Sequence, residues 1–275
     1  MKKPLLHIFR NTPFGRETLL QSAYLCRRLQ LPLTIYRPEF KSFLFYFATD
    51  VVQIDLDGSY LTNPDSAEDH IRDILNLQQL DYTPIQPISK SASTLPDLPT
   101  HFSVMTCPRS MTKDTRKIAL GSIGLKVRRI VNTAPFPIFL PAPVFKPWDK
   151  LAVLYGGSIH AAGALRLALK IQQRSNAPLQ LFARGDQHEL EARLRSQGFS
   201  DQQIASLDWH FLTGHDTATR LFNIPHDSLV LLGAYGKGNI KETLFGSTME
   251  KVQHHLPNSM IVVGPKCRWI VDPPQ

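Results

Sequence analysis

The chain has 275 residues, close to twice the ~150 of a typical domain, and 43% of them are apolar, which predicts two modest domains that each bury a core. No uninterrupted apolar run approaches the ~18 residues of a membrane span, so no membrane association is expected. Thirty-one Lys and Arg against 23 Asp and Glu give a formal charge of +8, which favours anionic partners without choosing among nucleotide, nucleic acid and acidic protein.

Met1-Lys2-Lys3 before Leu5-Leu6 has the beginnings of a signal peptide, but His7 and Arg10 interrupt the apolar stretch, and a cytoplasmic protein is expected. Strands are predicted near Leu5 to Phe9 and Leu33 to Tyr36. Phe43 to Phe47 and Val51 to Ile54 also read as extended, with Asp57-Gly58 supplying a hairpin turn. Burial accounts best for the aromatics between Phe43 and Phe47, and an exposed partner surface is the alternative. Lys113 to Arg129 is the densest basic stretch, with apolar residues interleaved as on a solvated helix face. A strand at Phe136 to Leu140 precedes Pro141 to Asp149, which is too proline-rich for a helix and reads as a linker. The strands predicted beyond it are Leu151 to Tyr155, Leu179 to Ala183, Trp209 to Leu212, Leu229 to Leu232 and Met260 to Val263. Helices are predicted over His160 to Gln173, Glu189 to Ser196 and Ser247 to His255. Cys26, Cys107 and Cys267 are far apart and form no C-x-x-C pair, so they read as reduced thiols rather than a zinc site or disulfide framework.

The two halves repeat each other. A shift of 146 residues places Thr12 on Ser158, Leu19 on Leu165, Pro32 on Pro178, Leu33 on Leu179 and Tyr36 on Phe182. A shift of 125 places Gly121-Ser122 on Gly246-Ser247 and Lys126-Val127 on Lys251-Val252. The difference, 21 residues, is an insertion between Tyr36 and Gly121, for which Phe43 to Thr62 is the candidate. Alternation of strand and helix in each half is the pattern of an open parallel α/β sheet. The expected fold is therefore two tandem open parallel-sheet, Rossmann-like domains at 1–147 and 148–275, packed about an approximate two-fold axis with Phe136 to Leu140 and Met260 to Val263 near the junction.

The chemistry concentrates after the strand at Leu229 to Leu232. Gly233 and Gly236 let backbone N–H groups approach phosphate oxygens with no Cβ in the way. After nine intervening residues Gly246-Ser247-Thr248 opens a helix with unpaired donors and a hydroxyl. An anion is the expected guest.

This G-x2-G-x9-G-S spacing and the internal repeat resemble a tandem universal stress protein, with the stronger likeness in the second half. The resemblance implies an adenine-nucleotide alpha-hydrolase-like sheet with helices on both faces. It also implies ATP, with Mg2+, as the bound cofactor. By the same resemblance Gly233, Gly236, Gly246 and Ser247 would hold the phosphates, Leu232 and Thr248 would flank the nucleotide, and the backbone near Leu181 would meet the adenine edge. Two departures stand out. Where the family often has Asp-Gly-Ser after the first strand, this chain has Gly156-Gly157-Ser158, and the first half has Arg10-Asn11-Thr12. In the first half Pro108 and Met111 stand where Gly233 and Gly236 do, so that site is expected to be empty or altered.

No P-loop is present, and Lys241 stands where a dinucleotide fingerprint needs its third glycine. His254-His255 are adjacent and cannot share one helical face as metal ligands, and no serine sits on a nucleophile elbow. No catalytic residue and no metal ligand is assigned. The expected role is regulatory, in a stress-response-type protein whose partners are an adenine nucleotide and a second copy or another protein, with nucleic acid disfavoured by the lack of interleaved aromatics. A ligand-free scaffold and a slow ATPase are the alternatives.

Overall fold

Successive buried side chains along the strands face opposite cores, which is how a sheet covered on both faces is built. Leu229 and Leu231 belong to one apolar cluster, and Val230 and Leu232 to the other. The computed structural model describes residues 3–47, 50–61, 63–85, 87, 95–109, 124–213, 221–234 and 256–268. Among them are strands β1 (Leu5–Ile8), β2 (Leu33–Tyr36), β3 (Ser42–Tyr46), β4 (Val51–Asp55), β5 (Tyr82–Pro84), β6 (Asp97–Leu98), β7 (Val104–Thr106) and β8 (Ile138–Leu140). Beyond the proline-rich segment lie β9 (Lys150–Tyr155), β10 (Leu179–Ala183), β11 (Asp208–Phe211), β12 (Ser228–Gly233) and β13 (Met260–Val263). The helices are α1 (Pro13–Leu29), α2 (Pro64–Gln78), α3 (Leu125–Thr133), α4 (Ile159–Ser175), α5 (Gln187–Ser196) and α6 (Asp201–Ala205).

Ten strands form one mixed sheet in the order β11-β10-β9-β12-β13-β8-β7-β1-β2-β5. The repeat read from the sequence is visible in its hydrogen-bond register. Leu5 lies opposite Leu33 and Val104, and Leu151 lies opposite Leu179 and Leu229, which reproduces both sequence shifts. The helices that follow have matching ends. Thr12 and Ser158 cap α1 and α4 by accepting from the backbone N–H of Gly15 and Ala161, each at 3.1 Å. Gln30 and Asn176 close the same helices in left-handed conformation, at φ 51° and 54°.

The two five-strand runs meet at β8 and β13, which pair antiparallel with Ile138 opposite Val262 and Leu140 opposite Met260. The described pairings elsewhere in this sheet are parallel. Each terminal strand thereby covers an apolar edge of the other run. The proline-rich segment is irregular, as expected, but it is clamped in place. Gln21 of α1 donates to the Ala142 carbonyl at 2.6 Å and accepts from the Ala142 N–H at 3.1 Å and the Ser259 hydroxyl at 2.5 Å. The Tyr24 hydroxyl donates to the Trp148 carbonyl at 2.8 Å.

The insertion lies between β2 and α2, where the other run passes directly from β10 to α5. Its strands β3 and β4 pair antiparallel and build a second sheet, β4-β3-β6, with β6 supplied in parallel by the chain between β5 and β7. The hairpin bends between Phe47 and Asp50, whose backbone groups bond each other at 2.8 and 3.3 Å, and not at Asp57-Gly58 as the sequence predicts. Asp57 instead caps a 3-10 turn over Gly58–Tyr60, its carboxylate accepting from the Ser59 N–H at 2.8 Å. Asn63 and Pro64 then start α2, so the chain after Gly58 has no length in which to return as a strand.

Phe43 and Phe45 are fully buried, and Phe47 nearly so. They form an aromatic series from Tyr36 to Phe136, with successive centroid separations of 5.4, 5.2, 5.5 and 6.0 Å. This excludes the exposed-surface alternative for these aromatics. The small sheet does on this face what a helix was expected to do. Of the basic stretch, the described part belongs to amphipathic α3, which buries Val127, Ile130 and Val131 and exposes Arg129. All three cysteines are buried, and none forms a disulfide.

Candidate strand-end crevices

Strand order reverses between β9 and β12 in one run and between β1 and β7 in the other. Such reversals open a crevice beyond the carboxyl ends of the strands. The two crevices, equivalent in topology, are furnished differently.

Beyond β9 the chain turns through Gly156-Gly157-Ser158 into α4. Gly157 adopts φ +77°, a left-handed conformation that disfavours side chains. A Cβ there would also lie 2.6 Å from Nη1 of Arg193, which reaches over from α5. The Gly157 carbonyl accepts from Gln197 at 3.0 Å, and Gln197 accepts from the Tyr155 hydroxyl at 3.0 Å. Between them these contacts fix the turn against α5. Across the crevice β12 ends at Gly233, where a Cβ would lie 2.6 Å from both the Ala161 nitrogen and the His160 carbonyl carbon. Close strand-to-helix packing alone therefore requires glycine here. Burial of the His160 ring lowers its pKa from the ordinary histidine value. The crevice gathers Arg193, the start of α4 and the end of β12, an assembly that suits an anion.

Of the residues singled out from sequence, Leu232 and Gly233 lie at this carboxyl end, with Leu232 paired to Leu154 and Val262. Leu181 is in the middle of β10, fully buried, between Val153 and Trp209. Gly236, Gly246, Ser247 and Thr248, and the helix predicted over 247–255 with its two histidines, lie outside the described residues. Among the described residues no group of His, Cys, Asp and Glu is arranged to hold a metal, and no helix is long and apolar enough to cross a membrane.

The other crevice is filled by the protein itself. Arg10 follows β1 and is buried. Its Nε donates to the Ser59 hydroxyl at 2.6 Å, and its Nη2 reaches the Asp57 carboxylate at 3.5 Å. Its guanidinium also lies over the Tyr60 ring, 5.2 Å from the centroid. Ser59 in turn donates to Asp57. The 3-10 turn of the insertion thus supplies a carboxylate, a hydroxyl and a ring face to a cation standing where the repeat has Gly156. Beyond β7, Arg109 is buried and donates to the carbonyls of Leu256 at 3.3 Å and Asn258 at 2.6 Å. Burial pulls its pKa down to about 10, which leaves it cationic at neutral pH.

Sequence reading missed Arg10, Asp57 and Arg193. The repeat register already placed Arg10 at a strand end, opposite Gly156. Its partner Asp57 was hidden by its resemblance to a turn residue, and nothing in the sequence ties Arg193 to Gly157.

This arrangement of strands, helices and crevices is a universal-stress-protein-like fold. It superposes on the crystal structure of a universal stress protein from Archaeoglobus fulgidus DSM 4304 with a TM-score of 0.58 at 15% identity, covering 96% of this chain and 98% of that one. PA1789 from Pseudomonas aeruginosa PAO1, a functionally unknown protein, matches with a TM-score of 0.52 at 16% identity over 96% of this chain and 93% of that one. The cytoplasmic domain of a prokaryotic cation chloride cotransporter matches with a TM-score of 0.52 at 12% identity, over 95% of each chain. In sequence the chain is 24% identical to universal stress protein Slr1230 of Synechocystis sp. over 185 residues, a match that spans 64% of each protein. No family model matches the chain.

Proposed function

We propose that the chain is a tandem stress-response-type protein, with domains at 1–147 and 148–275, that binds an adenine nucleotide, ATP with Mg2+, in its second half. The asymmetry between the two crevices carries this reading. One is closed by Arg10, Asp57, Ser59 and Tyr60. The other is flanked by Arg193 and the start of α4, and β12 delivers the chain into it at Gly233, the first residue of the G-x2-G-x9-G-S spacing. A bound nucleotide would bring its own anionic oxygens for the cation. The protein's part is to orient the phosphates with backbone N–H groups at Gly233, Gly236 and Gly246-Ser247.

The role is regulatory, with occupancy of one site biasing shape or partner binding. Isothermal titration with ATP and Mg2+ tests it. One equivalent is expected to bind, and Gly236→Val is expected to abolish the heat, because a branched side chain then stands in the phosphate path. An unchanged affinity in Gly236→Val would reject the assignment. A second reading, a scaffold that has kept the fold without a ligand, is favoured by the closed first crevice and by Gly156 standing where an acid would face the adenosine. Absence of any heat with the unaltered protein selects it.

A further inference from the structure

On the sheet face that α1 and α4 cover, a cavity of about 130 Å3 opens between the C-terminal parts of these two helices. Leu25 and Leu29 of α1, Ile171 of α4, Val104 of β7 and Ile261 of β13 make its inner surface, so it spans the seam between the two strand runs. The hydroxyl of its one inner polar residue, Ser103, already donates to the Pro4 carbonyl at 3.1 Å. A water inside would find almost no partners, and an apolar cavity of ~150 Å3 is known to stay dry and to accept a ring of six carbons. The mouth has a different chemistry. Lys170 and Arg174, one turn apart on α4, are exposed and line the opening together with Gln173. Hydrocarbon inside and two cations at the rim describe an amphipathic anion.

We propose that this cavity is a binding site for a medium-chain aliphatic carboxylate. The tail fills the space between Leu25, Ile171 and Ile261, and the carboxylate lies against Lys170 and Arg174. The inner volume holds ~6 carbons by comparison with the benzene-sized cavity, and the remaining two carbons of an eight-carbon acid reach the mouth. Guanidinium and ammonium groups both donate to a carboxylate, and each side chain can lay its methylene stem along the emerging chain. The site does not depend on nucleotide binding.

Octanoate is the probe, titrated into the full chain and followed by calorimetry and by heteronuclear NMR shifts. Saturable binding of one equivalent is expected. Butanoate should bind at least ~10-fold more weakly, because it leaves most of the apolar surface unfilled. Lys170→Glu with Arg174→Glu, both exposed positions, should weaken octanoate ~10-fold or more, and 1-octanol should bind the unaltered protein more weakly than octanoate does. Leu167→Trp, at a half-buried lining position, should block entry of the tail. No saturable octanoate binding up to about 10 mM, a limit set by the affinity scale of such small ligands, overturns the proposal. So does equal binding of butanoate and octanoate, or octanoate affinity unchanged by the double charge reversal. The chain-length and head-group series use the unaltered protein, so the proposal stays testable if Leu167→Trp does not fold.

Discussion

Asp57→Ala is expected to destabilise the protein by removing the closure of the first crevice. The Arg10 and Asp57 side chains are only 9% and 12% exposed, so Arg10 would be left as a nearly buried cation with one hydroxyl and one ring face. Breaking a buried ion pair costs about 3–5 kcal/mol, but a separation of 3.5 Å is long for such a pair, so the direct term should lie well below that ceiling. Loss of the Asp57 cap on the Ser59 N–H adds about 1 kcal/mol. Together these give a loss of ~2–4 kcal/mol, measured by urea unfolding at neutral pH. Arg10→Met with Asp57→Ala should recover part of the loss, because the orphaned charge is gone and an apolar side chain packs against Tyr60. The double-mutant cycle should show a coupling of at least ~1 kcal/mol. A single-variant loss under ~1 kcal/mol, with additivity in the cycle, would show that Asp57 does not hold Arg10 in place.

Gly233→Val should cost ~2–3 kcal/mol in urea unfolding through collision with the first turn of α4, and a cost within ~0.5 kcal/mol of zero would mean that β12 and α4 are not held this close. His7 is expected to make the protein sensitive to acid. Its Nδ1 lies 2.9 Å from the Ser22 hydroxyl, and its Nε2 is buried without a partner. Burial lowers the pKa from the ordinary 6.5 to about 3. Above pH 6.5 both folded and unfolded states are neutral at His7, and between 6.5 and 3 only the unfolded state takes up the proton. Stability should therefore fall as pH drops through this window, by about 1.4 kcal/mol per pH unit from this group. His7→Gln should flatten the slope in pH-dependent urea unfolding, and an unchanged slope would place the acid sensitivity elsewhere.

The sequence by itself determined the local elements and their repetition. The apolar runs Leu229 to Leu232 and Met260–Val263 announce themselves because a strand covered on both faces must be apolar along its length. The caps at Thr12 and Ser158 are local, since an N-cap bonds a backbone group three residues away, and the 146-residue register that relates them carried into the sheet pairing unchanged. Tertiary structure decided what depends on groups distant in the chain. Asp57-Gly58 is locally competent both as a hairpin turn and as the start of a 3-10 turn, and the choice went to the form that places Asp57 and Ser59 beside Arg10, 47 and 49 residues away. The Gly157 turn meets Arg193 only because α5 folds back over it, and β8 meets β13 only when both strand runs exist. Such contacts leave no periodic trace in sequence, because their energy comes from desolvated charge and edge pairing between segments that approach each other only in the folded chain.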